Sequence, residues 1–229
     1  MSVHRTFATW VLGLALLGAP SARAAQEPPA KEPGASSLEV PLAKGTTFLH
    51  TMTSTVEAGG TTITTTTASE TTITAISETS VTYDQHTTGK TLQGASSVDL
   101  PPQDRKNQSF RRARAGVSAP SLPGGAKPEE TDLDVKTPVF TGKVHVIHLK
   151  SEFAESWASK EPFEAVLRLP GDRRIKATCT FVRTASVRGD PADTQVLNLA
   201  EFPIVTLFMH SQTKGEFASE TTILLREIR

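Results

Sequence analysis

His145 and His148 stand three residues apart, a spacing that would let two imidazoles share a metal ion on a helix. On a strand the same offset sends them to opposite faces, so joint coordination is poor and no metal is expected there. His50, His86 and His210 are the other histidines that could act as bases. Each would need a carboxylate within hydrogen-bonding reach inside a cleft, and nothing in the sequence pairs them with one. Cys179 is the single cysteine. It sits in the alternation Ile175, Ala177, Cys179, Phe181, which turns it inward as a small buried hydrophobe rather than a nucleophile. The chain has no Gly-x-Ser-x-Gly elbow, no His-Glu-x-x-His pair and no phosphate-cradling glycine loop. Beyond residue 24, Trp157 and Tyr83 are the only Trp and Tyr, a thin supply for stacking sugar rings. No reaction is named by these residues. No catalytic residue, metal ligand or cofactor is expected.

The elements that would position any site are mostly strands. Between Thr46 and Thr91, threonine fills 19 of 46 positions. Threonine suits a pleated surface because its branched Cβ restricts χ1, yet a Thr-rich tract can also be a solvated stalk. Parity decides for strands. Phe48, His50, Met52, Ser54 and Val56 share one face and Thr47, Thr51, Thr53 and Thr55 the other. After the Gly59-Gly60 turn signal, Ile63, Ile73, Ala75, Val81 and Tyr83 fall on one parity against a row of threonines. The tract is read as half-wet antiparallel strands with threonine on the outer face. Ser69-Glu70 and Ser77-Glu78 read as turns or strand ends.

Residues 101–138 carry six prolines, the basic cluster Arg105, Lys106, Arg111, Arg112 and Arg114, and then Glu129-Glu130-Thr131-Asp132-Leu133-Asp134. They read as a long, mobile, disordered loop, whose basic residues are a solvated face or an anion-binding or protease-sensitive segment. Asn107-Gln108-Ser109 fits the N-glycosylation pattern. Val139-Phe140 and Val144–Leu149 are strand-like. Ser151–Lys160 is the helix candidate, with Ser151 as its cap. Ala165–Leu169 is a strand ended by Pro170-Gly171-Asp172, and Ile204–Met209 reads as a central strand. Lys214-Gly215 closes a hairpin to Phe217–Ile228. Residues 46–100 hold about a dozen large apolar side chains, too few to stabilise a separate domain. Both halves therefore build one sheet system. The hexapeptide Ala68–Ile73 recurs as Ala218–Ile223 and is read as two strands with similar outer-face needs. The expected fold is mostly β: a single curved antiparallel sheet, half-barrel or sandwich, with one short helix and the long loop.

The N-terminus points to export. His4 and Arg5 precede the 12-residue apolar run Phe7–Gly18, too short for a membrane span of ~20 residues. Ala22-Arg23-Ala24 is a small-x-small cleavage site before Ala25, so residues 1–24 read as a signal peptide. Residues 25–44 read as a disordered tether of charge, proline and glycine, and 45–229 as a single β-domain. Cleavage at Ala24/Ala25 removes Arg5 and Arg23, leaving 22 basic against 24 acidic residues, or −2. That balance argues against a dedicated nucleic-acid binder. No further apolar segment is long enough to cross a bilayer. With one cysteine, no internal disulfide is possible, and the exported domain must rely on its core.

The closing segment runs from Phe202-Pro203-Ile204-Val205-Thr206-Leu207-Phe208 through Lys214-Gly215 to Thr221–Ile228. It is similar to the closing hairpin of exported LolA/LppX-like proteins. The resemblance covers roughly 30 residues and implies a strongly curved antiparallel sheet sheltering lipid or acyl chains. It assigns no individual binding residue. The Lys44-Gly45 opening followed by strands also resembles uncharacterised exported bacterial β-proteins. Two functions follow as expectations. The first is a periplasmic or extracellular β-protein that binds a lipid-like ligand, or a protein partner, through Phe48, Met52, Val56 and Phe208. The second is an envelope-associated interaction module without a small ligand. A hydrolase comes third.

Overall fold

The computed structural model describes residues 38–39, 42–111, 128–187 and 190–229. Residues 1–24 with the Ala24/Ala25 cleavage site, most of the expected tether and the middle of the expected loop lie outside these. Thirteen strands join in one sheet: β1 (Leu38–Glu39), β2 (Thr47–Ala58), β3 (Thr61–Ile76), β4 (Ser80–Gln93), β5 (Ser96–Arg111), β6 (Glu129–Lys136), β7 (Thr141–Lys150), β8 (Ala154–Ser159), β9 (Phe163–Leu169), β10 (Arg173–Ser186), β11 (Ala192–Leu199), β12 (Thr206–Thr213) and β13 (Phe217–Ile228). Twelve are antiparallel, in the order β5-β4-β3-β2-β13-β12-β11-β10-β8-β7-β6, with β9 also on β10. The path is open, with β5 and β6 as its edges. β1 alone is parallel, pairing Leu38 with Ile175 inside the stretch expected to be a tether. Among the described residues no helix is long and apolar enough to cross a membrane.

Turn chemistry sets the register. Gly59 and Gly60 both have positive φ, 57° and 76°, the backbone that a tight two-residue hairpin of the right twist demands. Lys214-Gly215 joins β12 to β13 as expected, and β13 then pairs with β2 from Phe217↔Ala58 to Ile228↔Phe48. The last strand thus stitches the two halves into one sheet. The repeated hexapeptide flanks β2 from both sides, Ser69 opposite His50 and Ser219 opposite Val56.

The expected helix is absent: Ala154–Ser159 is strand β8, paired with β7 and β10. Ser151 does cap, but it caps a turn. Its Oγ accepts the Ala154 N–H at 3.0 Å and donates to the Ala154 carbonyl at 2.9 Å, closing the β7–β8 hairpin. Neighbouring strands on both sides outweigh the local helical signal. Both ends of the expected loop are strand as well: 101–111 belong to β5 and 129–136 form β6. Proline is tolerated in β5 because it is an edge strand, and Pro101-Pro102 sit where the register slips between Thr87↔Gln103 and Gly89↔Leu100, a bulge that frees the missing N–H from pairing. Ser69-Glu70 lie mid-strand in β3 rather than at a turn. Ile204 precedes β12, in a tight connection where Val205 N–H donates to the Phe202 carbonyl at 2.8 Å.

That connection carries the plug of the core. Phe202 is fully buried, its ring 6.3 Å from Phe48, 5.7 Å from Tyr83 and 6.1 Å from Phe110. Phe110 lies on β5, five strand spacings from β12, which in a flat sheet is roughly 24 Å. The strands β2–β5 therefore bend over Phe202, and the face of Phe48, His50 and Met52 is concave. Gly89 on β4 permits the bend. A Cβ there would lie 2.7 Å from Thr67 Cγ2 and 2.8 Å from the Thr66 carbonyl oxygen.

Candidate functional site

Directly opposed residues of an antiparallel pair share a face, so the register can be read across the whole sheet. From Met52 the same face of the sheet continues through Ile223, Met209, Val196, Val182, Ala158 and Ile147. These seven apolar residues stand on seven strands, and all are half-buried. Six strand spacings make the row roughly 29 Å long. Two residues further along each strand the chemistry changes to hydroxyl. Thr91, Thr65, Ser54, Thr221, Ser211, Thr194, Thr184 and Ser156 form the adjacent row. Six of the eight bond in pairs, Ser54 to Thr221 at 2.9 Å, Thr194 to Ser211 at 2.8 Å and Thr65 to Thr91 at 3.1 Å. An apolar stripe bounded by a largely self-bonded hydroxyl stripe is the main feature of this face.

The stripe leads into a groove of about 240 Å³ between β2–β4 and the β11–β12 connection. Met52, Ile204 and Ile223 supply its apolar part; Ser69, Gln85, Thr87 and His50 lie at its polar end. Gln85 Nε2 donates to Ser69 Oγ at 3.0 Å and Thr87 Oγ1 donates to the same oxygen at 3.3 Å. Burial pushes the His50 imidazole down to about 4, partly opposed by a hydrogen bond to the Thr206 backbone. His50 Nε2 is buried without a hydrogen-bond partner. The ring is therefore neutral near pH 7.

Of the four residues expected to meet a ligand, Met52 lines the groove and Val56 lies on the same face toward the hairpin tip, 38% exposed. Phe48 shares that face but is wholly buried against Phe202. Phe208 is on the other face: it opposes Leu224 and Leu197, whereas its neighbour Met209 joins the concave row. The two are separated by the period of the strand. Threonine is not confined to an outer face either. Thr65, Thr67 and Thr71 share the concave face with Ile63 and Ile73, and Thr71 is buried.

The chemistry-bearing residues fall elsewhere. His86 Nδ1 lies 2.6 Å from Asp104 Oδ1, with both side chains more than half exposed on open strand surface. His210 Nδ1 is 3.4 Å from Thr222 Oγ1 and 3.7 Å from Glu220. His145 and His148 do point apart: His145 contacts Asp132 and Glu130 at 2.9 and 3.3 Å, while His148 stacks on Trp157 at 4.8 Å. Arg183 covers the same indole at 5.2 Å and holds Asp193 through two nitrogens at 2.7 and 3.1 Å. Cys179 is buried, its thiol pushed up to about 12 by that burial. Ser211-Gln212-Thr213-Lys214 has Ser-x-x-Lys spacing. On β12 and its turn the unit has no helix to bring the pair together, and Ser211 is engaged with Thr194. Among the described residues no group of three His, Cys, Asp or Glu could hold a metal. No family model matches the chain, and neither a curated protein nor a solved structure matches it.

Proposed function

We propose that the chain is exported and that its concave face binds an elongated apolar ligand of lipid type. The observation that carries this reading is the apolar row from Met52 to Ile147, about 29 Å of half-buried surface opening into the groove. A half-buried apolar stripe of that length gains by covering, because apolar area leaves water at roughly 25 cal/mol per Å². Six of the eight hydroxyls in the row beside it bond to one another and so compete little for a ligand. The bend of β2–β5 over Phe202 and the resemblance of the closing hairpin to LolA/LppX-like proteins support the same reading. The signal-peptide pattern of residues 1–24 supports export. Strand addition by a protein partner along the β5 edge is disfavoured, since β5 is interrupted at Pro101-Pro102 and again near Asn107, which has φ 54°; such bulges discourage strand addition.

The test is binding of the neutral probe N-phenyl-1-naphthylamine, with solvent extraction and native mass spectrometry of the purified protein. The probe is expected to bind and to be displaced by long-chain lipids. Met209→Asp, in the middle of the row, is expected to weaken it about tenfold, or ~1.4 kcal/mol. His210→Ala, one residue along and on the opposite face, is expected to leave it unchanged. No probe binding and no extractable lipid would end the proposal.

A further inference from the structure

Resting on the lipid-type reading, we propose that the groove takes an amphiphile with an anionic head, and that Arg105 on β5 binds that head. The register carries the argument. Followed strand by strand from β2 to β5, the residues paired across the concave face are apolar or uncharged except Arg105. His50, on the same face, is neutral near pH 7 through burial. The row that ends in Arg105 is Phe48, Thr71, Gln85, Arg105. Thr71 and Gln85 line the groove. Arg105 therefore stands on the next strand, roughly 4.8 Å beyond the polar end.

Among the described residues no carboxylate pairs with this guanidinium. The acids beside it are engaged on the other face: Asp104 lies 2.6 Å from His86 Nδ1, and Asp84 accepts the Asn107 N–H at 2.8 Å. The charge is felt over the concave face. Burial raises the Tyr83 phenol and the Arg105 charge opposes that rise; Tyr83 follows Gln85 along this face, its ring against Phe202. An anionic head that leaves the groove past Gln85 meets the one cation that β2–β5 present there, and a guanidinium can hold two of its oxygens at once. A cationic head is repelled, and an uncharged one gains little. An inward charge on an edge strand also guards against edge pairing. That role alone would not distinguish one head from another.

The experiment compares decanoate, 1-decanol and decyltrimethylammonium as displacers of N-phenyl-1-naphthylamine from the full chain at pH 7.5, with acetate as a free anion. Decanoate is expected to bind about fivefold more tightly than 1-decanol, or ~1 kcal/mol. Decyltrimethylammonium should be the weakest of the three, and acetate should leave the probe in place. Arg105→Gln should bring decanoate level with 1-decanol; both are measured in the same variant, so a change in the apolar site cancels from their ratio. Arg105→Glu should put decyltrimethylammonium ahead of decanoate. Arg111→Gln removes the same charge at a position of β5 opposite Ser80, outside the concave row, and should leave the decanoate-to-decanol ratio as it is. A ratio that Arg105→Gln does not move, or that Arg111→Gln lowers as far, would overturn head binding at Arg105 although the apolar site stands. Displacement by acetate at the concentration of decanoate would overturn it too, since the site would then take a free anion. If the probe and all three amphiphiles fail to bind, the lipid-type reading falls and this inference with it.

Discussion

His50 is neutral because it is buried, and that makes stability depend on pH in a definite direction. Its imidazole is held near 4 in the fold against an ordinary 6.5. Between these values the unfolded chain binds the proton and the folded one does not, so stability falls as pH falls from 6.5 toward 4 and is complete above 6.5. The full difference is on the order of 3 kcal/mol. Urea midpoints at pH 7.5 and 4.5 measure it: the unaltered protein is expected to lose more stability across that interval than His50→Gln. Equal losses would mean that His50 is solvated. His145 works the other way. Asp132 and Glu130 raise its pKa, so its contribution is present below 6.5 and is lost as pH rises through the raised value. His145→Ala should remove a small opposite slope from the upper part of the same profile.

At the scale of elements, the bend of β2–β5 is the feature on which the groove depends. Gly89 has no space for a side chain, because the nearest atom on one side is the Thr66 backbone oxygen at 2.8 Å, which cannot rotate away. Gly89→Ala is expected to cost about 1–3 kcal/mol and to open the groove. Phe202→Ala, which removes the ring that Phe48, Tyr83 and Phe110 surround, is expected to cost about 3–5 kcal/mol. Thermal melts and probe binding together check both. Much of this architecture was legible in the residues: the Gly59-Gly60 hairpin, the Phe48–Val56 parity, the last strand from Phe217 to Ile228 and inward Cys179 all follow from local spacing. What was not legible came from partners distant in sequence. Ala154–Ser159 is a strand because β7 and β10 lie on either side of it. Pro101-Pro102 enter a strand because that strand is an edge with a bulge. His50 and Ser69 became a pair only through the β2–β3 register, and Phe208 left the ligand face because β12 begins at Thr206. For the site, Met52 was recoverable from parity, whereas the row it belongs to needs six registers that no local pattern contains.

At the scale of the molecule, β13 decides whether this is one cooperative body or two. It sits between β2 and β12 and joins the Thr-rich first half to the second. Core residues from both halves, among them Phe48, Val81, Leu167 and Phe181, form one continuous cluster. Leu225 of β13 is fully buried within it. Removing its side chain should therefore destabilise strands far from it in the sheet order. Trp157 on β8 is four strands away from β13 and, in a Trp10→Phe background, is the only tryptophan in the chain. Leu225→Ala is expected to cost about 2–5 kcal/mol and to lower the denaturation midpoint seen by Trp157 fluorescence as much as the midpoint seen by far-UV circular dichroism. Coincident shifts are the signature of a single two-state unit. A Trp157 midpoint that stays in place while the dichroism midpoint falls would instead make β7–β10 an independent unit, and the apolar row would then cross a boundary between two folding units rather than run along one surface.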